Sequence, residues 1–289
     1  MEVKQTAIAS TEDWDIEIKP SKSLFAIDWK AIWRFRDLMI LFVRRDFVSQ
    51  FKQTILGPTW FFIQPIFTTI IYTVVFGKLA GISTDNIPKP VFYMSGIILW
   101  NYFAECLNKT STTFNTNKEL FGKVYFPRLI MPLSVIISNL MKLGVQFLLL
   151  IGFYLYYFVR GEIGVPTGYL LLFPLLVLLV ALLGLGFGLI VTSLTTKYRD
   201  LTFLVQFGVQ LAMYASPIVY PLSIVGDDKK WMILLNPISS VIETLRFSLF
   251  GSGYFEWSWM LYSIVATCLF LVVSIIVFNR VEKSFIDTV

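Results

Sequence analysis

Histidine is absent from this 289-residue chain. Its absence removes the most frequent general base, the most frequent metal ligand and every nucleophilic triad built on imidazole. Cysteine is nearly absent: Cys106 and Cys268 are the only two, and both stand in apolar runs. Free cysteine in such surroundings behaves as a small buried hydrophobe, so neither a zinc site nor a disulfide framework is expected. Charge is scarce, at 15% of residues against roughly 25% in an ordinary soluble domain. The phosphate loop G-x-x-x-x-G-K-[ST] does not occur, and no soluble stretch is long enough to hold an ATPase. Any ATP-driven role therefore needs a second polypeptide. The first 25 residues carry Glu12, Asp13, Asp15, Glu17 and Lys19 and lack the apolar run of a signal peptide. No long internal period points to a solenoid.

What fills the chain is apolar. Hydrophobic residues make up 56%, with 27 Phe, and the mean hydropathy is +0.71. These values exclude a disordered chain, a coiled coil and a nucleic-acid-binding domain. A bilayer-spanning helix needs roughly 20 predominantly apolar residues. Six stretches qualify, at about Leu56–Phe76, Val91–Phe114, Leu129–Phe158, Tyr169–Leu194, Leu201–Val219 and Trp257–Phe278. The expectation is an all-α membrane protein with six transmembrane helices.

Basic residues orient such a protein, because cytoplasmic loops collect Lys and Arg. With a cytoplasmic amino terminus, 17 of the 24 Lys and Arg lie inside and six outside, with Lys142 left within a span. Both termini are then cytoplasmic, and the net charge of +5 becomes a topology signal and a contact with anionic lipid heads. No clustered basic face suggests nucleic acid.

Residues 231–250 are apolar enough for a seventh span, yet contain Pro237, Glu243 and Arg246. Each charge at mid-bilayer costs about 2.5–3.5 kcal/mol on insertion scales. Ser240-x-x-Glu243 fits a capping box that would start a new helix, and Gly251 would end it. The segment reads as two re-entrant half-helices meeting near Asn236-Pro237, or as a helical pair on the outer surface. Irregular backbone at membrane depth is tolerated only where protein or a water-filled cavity covers it. The re-entrant reading therefore makes this segment part of a pathway.

Four further patterns bear on mechanism. Residues 29–52 interleave Trp29, Ile32, Trp33, Leu38 and Leu41 with Lys30, Arg34, Arg36, Arg44 and Arg45. That suits an amphipathic helix lying in the membrane interface. It would follow a cytoplasmic tail of residues 1–28 and precede a transmembrane domain of residues 53–289. The polar loop around 115–123 carries Leu120 and Phe121, followed by Tyr125 and Phe126. It reads equally as a docking helix for a soluble partner or as a turn with its aromatics among lipid headgroups. Glu105 and Lys142 are ionisable groups within spans, placed to form an intramembrane ion pair; the rival is Glu105 with Lys109 at i, i+4. Trp60, Gln64 and Phe67 share one helical stripe, and Phe203, Phe207, Gln210 and Tyr214 another. Aromatic rings mixed with amides suit a passage for sugars; the alternative is helix packing with lipid-facing Phe. Gly184, Gly186 and Gly188 read as a close-packing patch.

A set of motifs then resembles one family. They are Arg44-Arg45-Asp46, the run Phe51-Lys52-Gln53-Thr54-Ile55-Leu56-Gly57-Pro58-Thr59-Trp60 with Gln64-Pro65, and Phe126-Pro127-Arg128 with Pro132. Tyr198-Arg199-Asp200, Ser216-Pro217-Ile218-Val219-Tyr220-Pro221, Asn236-Pro237 and the tail Glu282-Lys283-Ser284-Phe285 complete it. From about Trp29 onward the chain resembles the membrane permease of type-2 ATP-binding-cassette exporters, in the branch that exports polysaccharides such as O-antigen, capsule and teichoic acid. The resemblance implies a homodimer in the cytoplasmic (inner) membrane, bound to two ATPase subunits that hold ATP and Mg, with no cofactor on this chain. It implies a coupling helix over 115–123, here Asn117, Lys118, Glu119, Leu120 and Phe121, and an outer gate around Pro217, Asn236, Pro237, Glu243 and Arg246. The aromatic stripes would line the channel. Arg44, Arg45 and Lys52 would meet the pyrophosphate of an undecaprenyl-type lipid-linked polysaccharide. A type-2 permease for a small drug or lipid, and a membrane-bound sugar transferase, are the competing expectations. For the transferase, Asp227-Asp228 is the only outer acidic pair, and it reads better as a solvated turn.

Overall fold

The computed structural model describes residues 28–195, 198 and 200–285. The expected tail over 1–28 lies outside the described residues except for Asp28, as do Lys197 and Arg199. Among the described residues all regular structure is helical.

The helices in chain order are α1 (Trp29–Arg34), α2 (Arg36–Phe51), α3 (Trp60–Tyr72), α4 (Lys89–Thr116), α5 (Lys118–Lys123) and α6 (Ile130–Val159). They continue as α7 (Phe173–Thr195), α8 (Leu201–Ala215), α9 (Asp227–Leu234), α10 (Pro237–Phe250) and α11 (Trp257–Phe285). A 3-10 turn at Gly57–Thr59 leads into α3, and a π-helix at Thr73–Leu79 extends it.

The long helix α4 is the axis of the bundle, and Val91–Trp100 is buried without a gap. Small residues decide which helices come closest to it. A Cβ at Gly184 of α7 would stand 2.7 Å from the Cβ of Cys106, and one at Gly188 would stand 2.4 Å from the Cβ of Thr110. Glycine at both positions lets α7 lie directly on α4, where dispersion replaces the hydrophobic drive that lipid cannot supply. Gly186, on the other side of α7, seats the Phe270 ring of α11. Phe114 of α4 stacks on Phe278 of α11 at 5.3 Å. A separate small core of Phe42, Phe126, Ile130 and Met131 ties α2 to the start of α6.

Among the described residues four helical segments are long and apolar enough to cross a membrane: Gly57–Leu79, Ile130–Val159, Gly168–Thr195 and Trp257–Val281. The other two expected spans differ. α4 has the length, at 28 residues, but Asn101, Glu105, Asn108 and Lys109 dilute its apolar character. α8 has 15 residues, about 22 Å at the α-helical rise, because the chain turns extended at Ser216.

The segment over 231–250 is bent by 110° between α9 and α10. The capping-box expectation is corrected here. α10 starts at Pro237, with the Asn236 side chain accepting from the Ile238 amide at 3.3 Å. Ser240 and Glu243 lie inside the helix, and Glu243 binds Arg246 instead of a cap. Gly251 closes α10 at φ +66°, with its N–H donating to Phe247 O.

The expected interface helix over 29–52 breaks at Phe35 into α1 and α2. α2 lacks the single apolar face of an amphipathic helix: Phe42 is buried on one side, while Ile40, Leu41 and Val48 are exposed on others.

Candidate functional site

Pro58, the second residue of the Gly57–Thr59 turn, leads into α3 with its fixed φ. Trp60, Gln64 and Phe67 line an open groove together with Ile63, Thr68 and Ile71. On α8, Phe203 is 75% exposed, Phe207 59% and Tyr214 53%, with Gln210 exposed between them. The two stripes are not packed into the bundle, as ordinary core aromatics would be, and neither covers the other. α3 and α8 come together only near Tyr72, whose hydroxyl donates to the Met213 sulfur at 3.6 Å. The Tyr72 ring also meets Phe76 at 5.3 Å and Tyr93 at 6.2 Å. The stripe pattern did not single out Tyr72, because it lies five residues past Phe67, off the shared face.

α4 and α6 run antiparallel and hold a charged seam between them. Lys142 of α6 reaches the first carboxylate oxygen of Glu105, and Lys109 stands 3.7 Å from the second. Both pairings weighed from the sequence are therefore present on one carboxylate. Lys109 also donates to Asn139 Oδ1 at 2.9 Å. The Phe61 ring of α3 sits 5.8 Å from Lys142 Nζ and covers that end. Asn139 and Gln146, absent from the sequence-based site, flank Lys142 at helical spacings of three and four residues; that spacing is the signal that could have found them.

Glu243 and Arg246 are buried to within 1% of their side-chain surface. The Arg246 guanidinium donates to Glu243 at 2.7 Å, to Pro217 O at 2.5 Å and to Ile218 O at 3.0 Å, and lies 3.7 Å over the Phe92 ring. The other Glu243 oxygen accepts from the Tyr254 amide at 3.1 Å. Asn236 donates to Ser216 Oγ at 3.0 Å. Four of the five residues expected at an outer gate are thus bonded in and around one clamp, joining α4, α10 and the turn after α8. Pro237 is the N-terminal residue of α10. Enclosed on every side, the pair holds that region together and offers no open surface at a pathway.

The loop after α4 also differs from its expected form. Asn117 caps α4, and its side chain bonds Thr113 O and accepts from Arg45 at 3.2 Å. Leu120 and Phe121 do not project as knobs. They are half-buried against the cluster of Phe42, Phe126, Ile130 and Met131, and Phe121 meets Phe114 at 5.2 Å and Phe126 at 5.4 Å. Phe126 is buried. The exposed groups are Lys118, Glu119, Lys123, Val124 and Tyr125. Among the three expected phosphate-binding cations, Arg45 is engaged by Asp46 at 2.8 Å and lies over Phe42, whereas the side chains of Arg44 and Lys52 are exposed.

Comparison with known proteins adds to this geometry. Residues 37–250 match the family ABC-2 type transporter. The O-antigen export system permease protein RfbA of Klebsiella pneumoniae is 25% identical over 255 residues, covering 87% of this chain and 94% of that protein. The protein of the same name in Myxococcus xanthus is 27% identical over 222 residues, covering 75% and 82%. The polysialic acid transport protein KpsM of Escherichia coli is 25% identical over 203 residues, covering 70% and 77%.

Proposed function

The chain belongs to the ABC-2 type transporter family, and on that premise we propose that it is the membrane permease of an ATP-driven exporter of a lipid-linked polysaccharide, O-antigen in the first place. One observation carries the substrate class. Two aromatic and amide stripes stand open to the outside of the bundle, where a lipid-facing helix would need only Leu and Val. Sugar rings stack their CH faces on aromatic rings and hydrogen-bond through hydroxyls, so such a surface holds a polymer loosely and lets it slide.

The rest follows from the needs of such a machine. The chain is a multi-pass membrane protein and supplies no ATPase, so two ATP-binding subunits with ATP and Mg are proposed as partners. A second copy of the chain would bring a second pair of stripes opposite the first and close the passage. Six crossings are proposed, by the four long apolar segments together with α4 and α8, with both termini cytoplasmic and α9–α10 re-entering from the outer side. The cytoplasmic placement of α5 makes the segment 115–123 the coupling element, presented through Lys118, Glu119, Lys123, Val124 and Tyr125. Arg44 and Lys52 would meet the lipid diphosphate first, and the inner membrane is the location.

Similarity to a polysialic acid transport protein supports a second reading, export of a capsular polymer. Disrupting the gene and following polymer by surface staining and lipid extraction tests both. The expected result is loss of one surface polysaccharide with its lipid-linked form retained inside; the polymer lost identifies the substrate. Unchanged surface polysaccharide, with loss of drug or lipid efflux, would overturn the polymer reading.

A further inference from the structure

Glu105 serves two ammonium groups. Among the described residues it is the only carboxylate bonded to Lys109 or Lys142, so the seam carries a net charge of +1. An ammonium has three donors, and Lys109, with 39% of its side chain exposed, spends one on Asn139 and points another at Glu105 from 3.7 Å. A charge excess at membrane depth is costly unless it faces a polar crevice or finds a partner. The crevice beside Glu105 and Lys142, lined by Asn101, Tyr102, Asn139, Leu143 and Gln146, has about 10 Å³, room for one water, and does not include Lys109. On the antiparallel helices Glu105 faces Lys142 and Lys109 faces Asn139.

Depth identifies the missing partner. Under the proposed orientation, Glu105 lies 16 residues from the outer end of α4 and Lys142 lies 17 from that of α6. At 1.5 Å per residue they stand roughly 24–26 Å below those ends. In a hydrocarbon core about 30 Å thick this is close to the inner boundary, from which a lysine side chain reaches toward the lipid phosphates just beyond. α3 enters there, with Trp60 beside the Phe61 ring that covers Lys142, and Trp is a marker of that interface.

We propose that Lys109, held in place by Glu105 and Asn139 and backed by the charge of Lys142, binds the phosphate of an inner-leaflet lipid. The inference rests on the exporter reading for its orientation and for one of two sources of that phosphate. A polyprenyl diphosphate carrying the polymer and an ordinary anionic phospholipid share the chemistry.

The test uses the full-length chain in detergent and counts bound lipid by native mass spectrometry. The probes are phosphatidylglycerol, polyprenyl diphosphate and uncharged diacylglycerol. Both phosphates should bind more tightly than diacylglycerol. Lys109→Gln should weaken them about fivefold, the factor that corresponds to one basic residue near a lipid surface. Glu105→Gln, which raises the seam to +2, should tighten them. Preference for polyprenyl diphosphate over phosphatidylglycerol assigns the site to the polymer carrier, and equal binding assigns it to bulk phospholipid. A plain structural pair predicts that both variants lower the melting temperature and neither changes lipid binding; that result overturns the site, as does a shift of both variants in one direction. Gene disruption reads the exporter assignment separately. Lost polymer export without lysine-dependent lipid binding removes the site alone, and lysine-dependent binding with normal export removes the exporter reading alone.

Discussion

Arg246 has no exposed surface, yet its two terminal nitrogens are bonded to one carboxylate and two main-chain carbonyls under an aromatic face, and Nε alone is left without a partner among the described residues. Gly96 makes room for it: a Cβ there would stand 3.0 Å from the guanidinium nitrogen. Breaking a buried pair by removing one member typically costs about 3–5 kcal/mol, because the other charge is left without compensation. Arg246→Met should therefore lower the melting temperature in detergent sharply, while the double change of Glu243→Gln with Arg246→Met should recover much of the loss. Equal melting of the single and double variants would show that the pair is not coupled. The sequence made both residues conspicuous as charges in an apolar run, but Glu243 was misread as part of a helix start. Ser240-x-x-Glu243 imitates a helix start, and the true start one turn earlier, Asn236 followed by Pro237, is the stronger signal, since proline at the first helical position gives up an N–H that has no partner there. The carbonyls that bind Arg246 come from residues 28 and 29 positions away. No local pattern could have pointed to them.

Among the elements, α7 was the most readable and α5 the least. Gly184 and Gly188 of α7 are spaced for one face, and that face meets α4, while Gly186 serves the contact with α11. A Gly188→Val variant should cost about 1–3 kcal/mol through overpacking, because the side chain has backbone and Thr110 in its way. Gly208→Ala on α8, where nothing lies within 4 Å, should be neutral or slightly stabilising and serves as the control. Thermal melting of the two variants separates close packing from helix propensity. For α5, periodicity over six residues cannot say which side faces inward, so Leu120 and Phe121 passed for exposed knobs although both pack against the cluster of Phe42, Phe126, Ile130 and Met131. Phe121→Asp consequently should reduce folded protein, an effect unrelated to coupling. Glu119→Arg and Tyr125→Ala change exposed groups and should leave the amount of protein unchanged while lowering export per ATP hydrolysed in the reconstituted complex. Normal coupling in both would move the contact with the ATPase away from this loop.

At the scale of the whole molecule, the bundle buries α4 nearly throughout and leaves its two aromatic stripes open. A single chain with this arrangement has the lining of a passage without the opposite wall, and α3 and α8 close on each other where Tyr72 meets Met213 and Tyr214. Composition alone announced a membrane protein, and heptad-free periodicity located the stripes, but whether Phe203 or Phe207 faced a neighbouring helix or empty space depended on the packing of distant segments. The number of crossings was less legible for the same reason. α4 owes its place to burial by its neighbours and not to its own hydropathy, and α8 is cut short by the Ser216-Pro217 turn that the Arg246 clamp holds. If the stripes carry the polymer, their contribution is in transit and not in folding. Trp60→Ala, Phe207→Ala and Tyr214→Ala remove exposed rings, so each should leave melting and membrane level within the roughly 0.5 kcal/mol range of ordinary surface changes. Polymer reaching the cell surface should fall, and more for the pair Trp60→Ala with Phe207→Ala than for either alone, because both helices would line one path. Replacing the same residues by Tyr or Phe, which keeps a ring for stacking, should restore most of the flux. Loss of membrane level in the alanine variants, or failure of the aromatic replacements to restore transport, would mean that these rings pack against a second subunit and do not touch sugar.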